Sequence, residues 1–213
     1  ENLKKEEREA LQKILAHREF LDSMQINANE TLMNADHNRI CINQLNPHKS
    51  ALLIEGYDIS HLAGREVVAG MTAWEFSAEG EGGMLRARKE FWRKFIIKTA
   101  KPADDPAAIA ETVSRRLNHP ECPHPDVMII DGGLAQFNAA REIVEKSGLS
   151  EKIRVLSFGK PDRLVYGLGK NPERLDEAPQ EFQKIIPTVI TETHNFAIRF
   201  HRERRQKNFL KFF

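Results

Sequence analysis

The pattern of this chain changes character near Lys98, and that change limits its folds more than any other feature. Before it, three strand candidates follow one another, Leu52 to Asp58, Glu66 to Phe76 and Met84 to Lys98, separated by turns carrying Gly64 and then Gly80, Gly82 and Gly83. After it, helical and strand patterns alternate. Strands joined by tight turns pair antiparallel, whereas strands joined through helices must lie parallel with right-handed crossovers. A single mixed sheet accommodates both halves.

Local signals place the later elements. Asp104-Asp105-Pro106 reads as a helix start, because an Asp can cap free amides and proline is tolerated in the first turn. That helix should run to Leu117 or Asn118 and stop before Pro120. Val127 to Ile130 is a short, continuously apolar strand of the kind buried on both faces of a parallel sheet. Asp131-Gly132-Gly133 follows it, then a helix from Leu134 to Lys146 and a second buried strand from Ile153 to Phe158. Gly159 to Pro179 is polar and reads as a connection, with a last helix over Thr188 to Lys207. Near the start, Leu3 to Met24 has apolar residues at helical spacing and Asn27 to Ser50 reads as a linker. The expected division is therefore 1–50, a helical extension with linker, and 51–213, one α/β domain. Its order of elements matches a ribonuclease H-like mixed sheet, three antiparallel strands followed by alternating helix and strand.

In such a sheet the first strand and the Val127 strand lie side by side at the centre, so Asp58 and Asp131 should converge. Asp105 at the start of the first helix and His194 on the final helix would close the site from two sides. Carboxylates on separate elements suit Mg²⁺, which takes one or two of them together with waters and phosphate oxygens. Imidazole suits Mn²⁺ better, so His194 could be a ligand or a general acid or base. Bland readings compete. Asp131 or Asp105 could simply cap the helix that follows, and a helical histidine is more often packed or on the surface than a ligand. Asp58 is harder to dismiss, because a carboxylate after Leu52, Leu53 and Ile54 risks desolvation and needs a partner. Ser60 and His61 read as turn residues, with substrate contact as the alternative.

Net charge does not argue for a polyanionic partner, with 32 Lys and Arg against 31 Asp and Glu. Clustering does. Arg86, Arg88, Lys89, Arg93, Lys94, Lys98 and Lys101 are offset only by Glu90, and the run from Arg199 to Lys211 only by Glu203. Either run alone could be a solvated face; two runs flanking an acidic site point to nucleic acid. Arg93, Lys94, His201, Arg202 and Arg205 are the candidate contacts. Cys41 and Cys122 show neither disulfide nor zinc spacing, which fits a reducing cytoplasm. No apolar run reaches the roughly 18 residues of a membrane span. The start at Glu1 is expected to reflect a fragment.

The motifs resemble the C-terminal nuclease domain of the UvrC family, the incision subunit of bacterial nucleotide excision repair. Asp58-Ile59-Ser60-His61 is similar to the family's strand ending, Asp104-Asp105-Pro106-Ala107-Ala108 to its Asp-Asp pair, Ile130 to Gly133 to its Ile-Asp-Gly-Gly, and Glu192 to Ile198 with His201-Arg202 to its final-helix motif. The resemblance implies an Asp58, Asp131 and His194 site with Asp105 as an additional acid, Mg²⁺ or Mn²⁺ as cofactor, and incision on the 5′ side of a lesion in double-stranded DNA. It implies UvrB as a partner through regions outside this chain, and no membrane. Lys160 matches a family lysine and is a candidate phosphate contact. Leu134-Ala135 stands where the family usually has Lys-Gly, Pro106 where it has Tyr, and Ile190-Thr191 where it has Arg-Asp. These departures leave two other readings open, a non-catalytic nucleic-acid-binding domain and a strand transferase or RNA-directed nuclease on the same fold.

Overall fold

The computed structural model describes residues 51–62, 66–77, 84–101, 103–119, 122–169 and 171–209. The expected extension over 1–50 lies outside the described residues. Strand β1 (Ala51–Leu62) pairs antiparallel with β2 (Glu66–Ser77) along its whole length, from Ala51↔Ser77 to Leu62↔Glu66. Strands β3 (Met84–Ala87) and β4 (Arg93–Ile96) both pair with β2. Helix α1 (Asp105–Leu117), β5 (Val127–Asp131), α2 (Leu134–Lys146), β6 (Arg154–Gly159), β7 (Leu164–Tyr166), β8 (Glu173–Arg174) and α3 (Gln180–Phe209) follow. The sheet order is β3-β2-β1-β5-β6-β7-β8. Strands β1, β5 and β6 are parallel and the remaining pairs antiparallel. This is the mixed, ribonuclease H-like sheet that the order of elements predicts.

Both faces of the sheet are covered. Leu52, Ile54, Val127 and Ile129 join Phe182, Ile185, Ile186, Val189 and Ile190 of α3 in one core. Tyr57, Met128 and Ile130 join Ile109 and Val113 of α1 and Ala140 and Val144 of α2 in the other. Side chains alternate along a strand with period two. Asp58 therefore shares the α3 face with Leu52 and Ile54, and Asp131 shares it with Val127 and Ile129.

The structure corrects the local reading at four places. The strand expected to end at Asp58 continues to Leu62, because β2 pairs with it throughout; what ends near Asp58 is the parallel pairing, whose last partners are Tyr57 and Ile130. The strand expected over Met84 to Lys98 is broken by a 3₁₀ turn at Lys89–Phe91. Residues 88–92 bulge out opposite Thr72 and Ala73, while the Arg88 amide and the Trp92 indole both donate to the Ala73 carbonyl. The polar stretch from Gly159 to Pro179 contains β7 and β8, which add two short antiparallel strands to the β6 edge. Helix α3 begins at Gln180 rather than Thr188 and passes through Pro187. An internal proline costs about 3 kcal/mol, but each fully buried large apolar side chain returns about 1.5–3 kcal/mol, and Phe182, Ile185 and Ile186 in the added turns are all buried.

Candidate active site

Adjacent parallel strands deliver the two acids to one place. Asp58 follows Tyr57 on β1 and Asp131 follows Ile130 on β5, and Tyr57 and Ile130 are register partners. Helix α3 crosses the same face and brings His194 Nδ1 to 3.0 Å from Asp58 Oδ2. One ligand atom from each of Asp58, Asp131 and His194 lies within 4.8 Å of the others. Oxygen ligands sit about 2.0–2.6 Å from a hard divalent ion, so atoms this close can share one ion.

Neither Asp131 nor Asp105 is the cap of the helix it precedes or begins. The helix after Asp131 is capped by Gly133, whose amide donates to Gln136 Oε1 at 3.1 Å, so Asp131 is not the cap. At α1 the cap is Asp104, whose Oδ1 accepts from the Ala107 amide at 3.1 Å. Asp105 is the next residue, on a helix packed against the opposite face, and it is not one of the three grouped ligands.

The electrostatics favour a cation. Asp58 is only 6% exposed. Burial pushes its carboxyl up to about 6, the Asp131 carboxylate adds to the rise, and His194 and Lys160 oppose it. The His194 contact depends on the tautomer. With the proton on Nδ1 the imidazole donates to Asp58; with it on Nε2, two lone pairs face each other and require a bridging proton or cation. Two carboxylates and an imidazole are a donor set that fits a divalent metal.

The candidate nucleic-acid contacts are dispersed around this centre. Lys160, just beyond β6, donates to Asp131 Oδ2 at 3.2 Å and is otherwise open to solvent. Lys94 on β4 pairs with Gly70, which pairs with Asp58, so Lys94 stands level with the acids two strands away. Its ammonium lies 2.6 Å from Glu203 and over the Phe196 and Phe200 rings. Arg93 is exposed and donates to the Glu90 and Trp92 carbonyls. Arg202 is exposed on α3 and His201 half-buried. The side chains of Arg205 and His61 lie outside the described residues. Leu134 is 52% exposed at the start of α2.

Sequence reading missed the residues that hold α3 down. Gly56 has no room for a side chain, since a Cβ there would lie 2.4 Å from Thr193 Oγ1 and 2.5 Å from Val189 Cγ1. A glycine inside a strand pattern marks such a close approach, and that signal was available at Gly56.

A mixed sheet with helices on both faces, carrying two acids on its central parallel strands and a histidine on the helix that crosses them, defines the ribonuclease H-like class. The family model described as the UvrC RNAse H endonuclease domain matches residues 43–198. The chain belongs to that family and is a nuclease domain. The UvrABC system protein C of Koribacter versatilis is 38% identical over 158 residues, which are 72% of this chain and 24% of that protein. That of Solibacter usitatus is 36% identical over 157 residues, covering 71% of this chain and 24% of the relative. The chain thus spans about a quarter of the length of these curated relatives. Human ENDOV has a TM-score of 0.36 at 15% identity, over 71% of this chain and 63% of that one, which is too loose a likeness to carry weight.

Proposed function

We propose that this chain is a metal-dependent DNA endonuclease domain that makes the 5′ incision in bacterial nucleotide excision repair. The observation that carries the reading is the convergence of Asp58, Asp131 and His194 within 4.8 Å, in a chain of the UvrC endonuclease-domain family. Asp58 and Asp131 would hold Mg²⁺ or Mn²⁺ through oxygen, with His194 supplying nitrogen. A bound cation would supply Lewis-acid chemistry at the phosphodiester. Asp58 also orients the imidazole through the Nδ1 contact. Lys160 stands at the solvent side of Asp131 and meets a phosphate oxygen of the substrate, while Arg93, Lys94, His201, Arg202 and Arg205 follow the backbone away from the cut. The domain is the 51–213 unit, with 1–50 as its extension. UvrB is engaged by parts of the full-length protein outside this chain. Among the described residues no helix is long and apolar enough to cross a membrane.

The test is nicking of lesion-bearing duplex DNA in the presence of the partner subunits and Mg²⁺ or Mn²⁺. Cleavage should appear on the 5′ side of the lesion and vanish in Asp58→Asn, Asp131→Asn and His194→Ala with the fold intact. Salt-sensitive DNA binding without cleavage under either metal would instead support a binding-only domain. Equal cutting of an RNA–DNA hybrid would sink the choice of substrate.

A further inference from the structure

Thr193 precedes His194 on α3 and is fully buried, as is Thr72 on β2. Their hydroxyl oxygens are 2.6 Å apart. The direction of that bond follows from its neighbours. Thr193 Oγ1 donates to the Val189 carbonyl at 2.7 Å, one turn back in its own helix, so its single proton is used. Thr72 must then donate to Thr193, and Thr72 in turn accepts from the Trp74 indole at 3.0 Å. A directed chain runs from Trp74 through Thr72 and Thr193 to the backbone of α3, with each proton used once. It lies directly over Gly56, where a Cβ would sit 3.0 Å from Thr72 Oγ1 as well as 2.4 Å from Thr193 Oγ1. Gly56 is two residues before Asp58 on the same face.

We propose that Thr72 and Thr193 are the positioning residues of this site: their hydrogen bond fixes the roll of α3 about its axis and thereby holds His194 against Asp58. Consecutive residues in a helix point about 100° apart. With Thr193 pinned downward onto β2 and β1, His194 must project sideways along the sheet surface, and on that side stands Asp58. Side-chain tips lie about 5–6 Å from a helix axis, so a roll of about 20° carries the imidazole roughly 2 Å. That displacement is enough to break the 3.0 Å contact. Apolar burial is non-directional and sets no single roll by itself; a buried hydroxyl pair does, since separation leaves polar groups unsatisfied. The functional consequence of this contact, though not the contact itself, rests on Asp58, Asp131 and His194 being a metal centre.

The test compares the 213-residue chain with Thr193→Val, Thr193→Ser and Thr72→Val, using crystal structures for the His194–Asp58 separation and electron paramagnetic resonance for Mn²⁺ binding. Thr193→Val, which keeps the shape and removes the hydroxyl, should unfold cooperatively yet lose the contact and at least tenfold in Mn²⁺ affinity. Thr193→Ser should retain both, and Thr72→Val should match Thr193→Val, serving in its place if that variant does not fold. An intact contact or an unchanged Mn²⁺ affinity in Thr193→Val, or an equal loss in Thr193→Ser, would overturn the proposal. A wild-type chain that binds no Mn²⁺ would defeat the metal-centre reading instead, and the contact alone would then decide.

Discussion

Glu55 and Asp58 are two buried acids on one strand, 1% and 6% exposed, that face opposite sides of the sheet. On the α1 side, Glu55 is answered from within the protein. Arg116 donates to its Oε1 from Nε at 2.9 Å and from Nη2 at 2.7 Å, and the Tyr57 hydroxyl donates to its Oε2 at 2.5 Å. Burial pushes the Glu55 carboxyl up, and Arg116 and Tyr57 pull it back. On the α3 side, Asp58 faces a second acid, with a half-exposed histidine on one oxygen and a solvent-exposed lysine one residue removed. Burial of a carboxylate therefore says little about function. What distinguishes the two is that Glu55 is ion-paired to a buried arginine, whereas Asp58 faces a second carboxylate.

The sharpest way to break this contrast is to neutralise each side in turn. Asp58→Asn should abolish cleavage, by at least about 10³-fold, as expected when a transition-state contact worth more than about 4 kcal/mol is removed. Its thermal unfolding should occur no lower than wild type at neutral pH, because the substitution relieves repulsion from Asp131. A large drop in melting temperature would mean that Asp58 is structural, like Glu55. Arg116→Met should do the reverse. It leaves Glu55 buried without its cation and costs about 3–5 kcal/mol, read by denaturant titration, while Mn²⁺ affinity of the folded fraction stays unchanged. Adding Glu55→Gln should restore much of the loss.

Asp126 sharpens the comparison from the other end of the same strands. Its Oδ2 accepts from the Leu53 amide at 2.7 Å, and burial pushes its carboxyl up to about 6. With the folded value above the ordinary one of 3.8, the folded state holds the proton more tightly. This contribution to stability is present below about pH 4 and is lost as pH rises through about 6. Asp126→Asn keeps the acceptor and removes the titration. It should be more stable than wild type at pH 7.5 by on the order of 1–2 kcal/mol, with the difference shrinking towards pH 4 in equilibrium unfolding. An unchanged pH slope would count against it. The smallest effect is expected for Lys160→Gln. Its ion pair with Asp131 is largely exposed on the lysine side, and such pairs contribute about 0–1 kcal/mol. Stability should hardly move, while DNA affinity should fall with a salt dependence shallower by about one unit.

Much of the fold was legible because its determinants are local. The apolar run from Val127 to Ile130, the Gly132-Gly133 break and the helix over Leu134–Lys146 appear where the pattern places them. The 3₁₀ bulge at Lys89–Phe91 was not legible, because it depends on the Ala73 carbonyl of a neighbouring strand. Nor was the passage of α3 through Pro187, where burial against the sheet outweighs a local penalty. At the site, Asp58 and Asp131 stood out as acids following apolar runs, and His194 through the final-helix motif. Thr72 and Thr193 did not, since a threonine in a strand or a helix carries no signal until its partner is known.

By itself, the sequence determined the order of the central strands and helices, the motifs that resemble the UvrC endonuclease-domain family and the strands that carry the acids, all of which follow from short-range patterning. The tertiary structure alone decided which partner each acid meets. Strand alternation sends Glu55 and Asp58 to opposite faces, but only the packing of α1 on one face and α3 on the other sets Arg116 against Glu55 and His194 against Asp58. Those contacts join residues 61 and 136 positions apart, a range at which side-chain packing, not local propensity, fixes geometry.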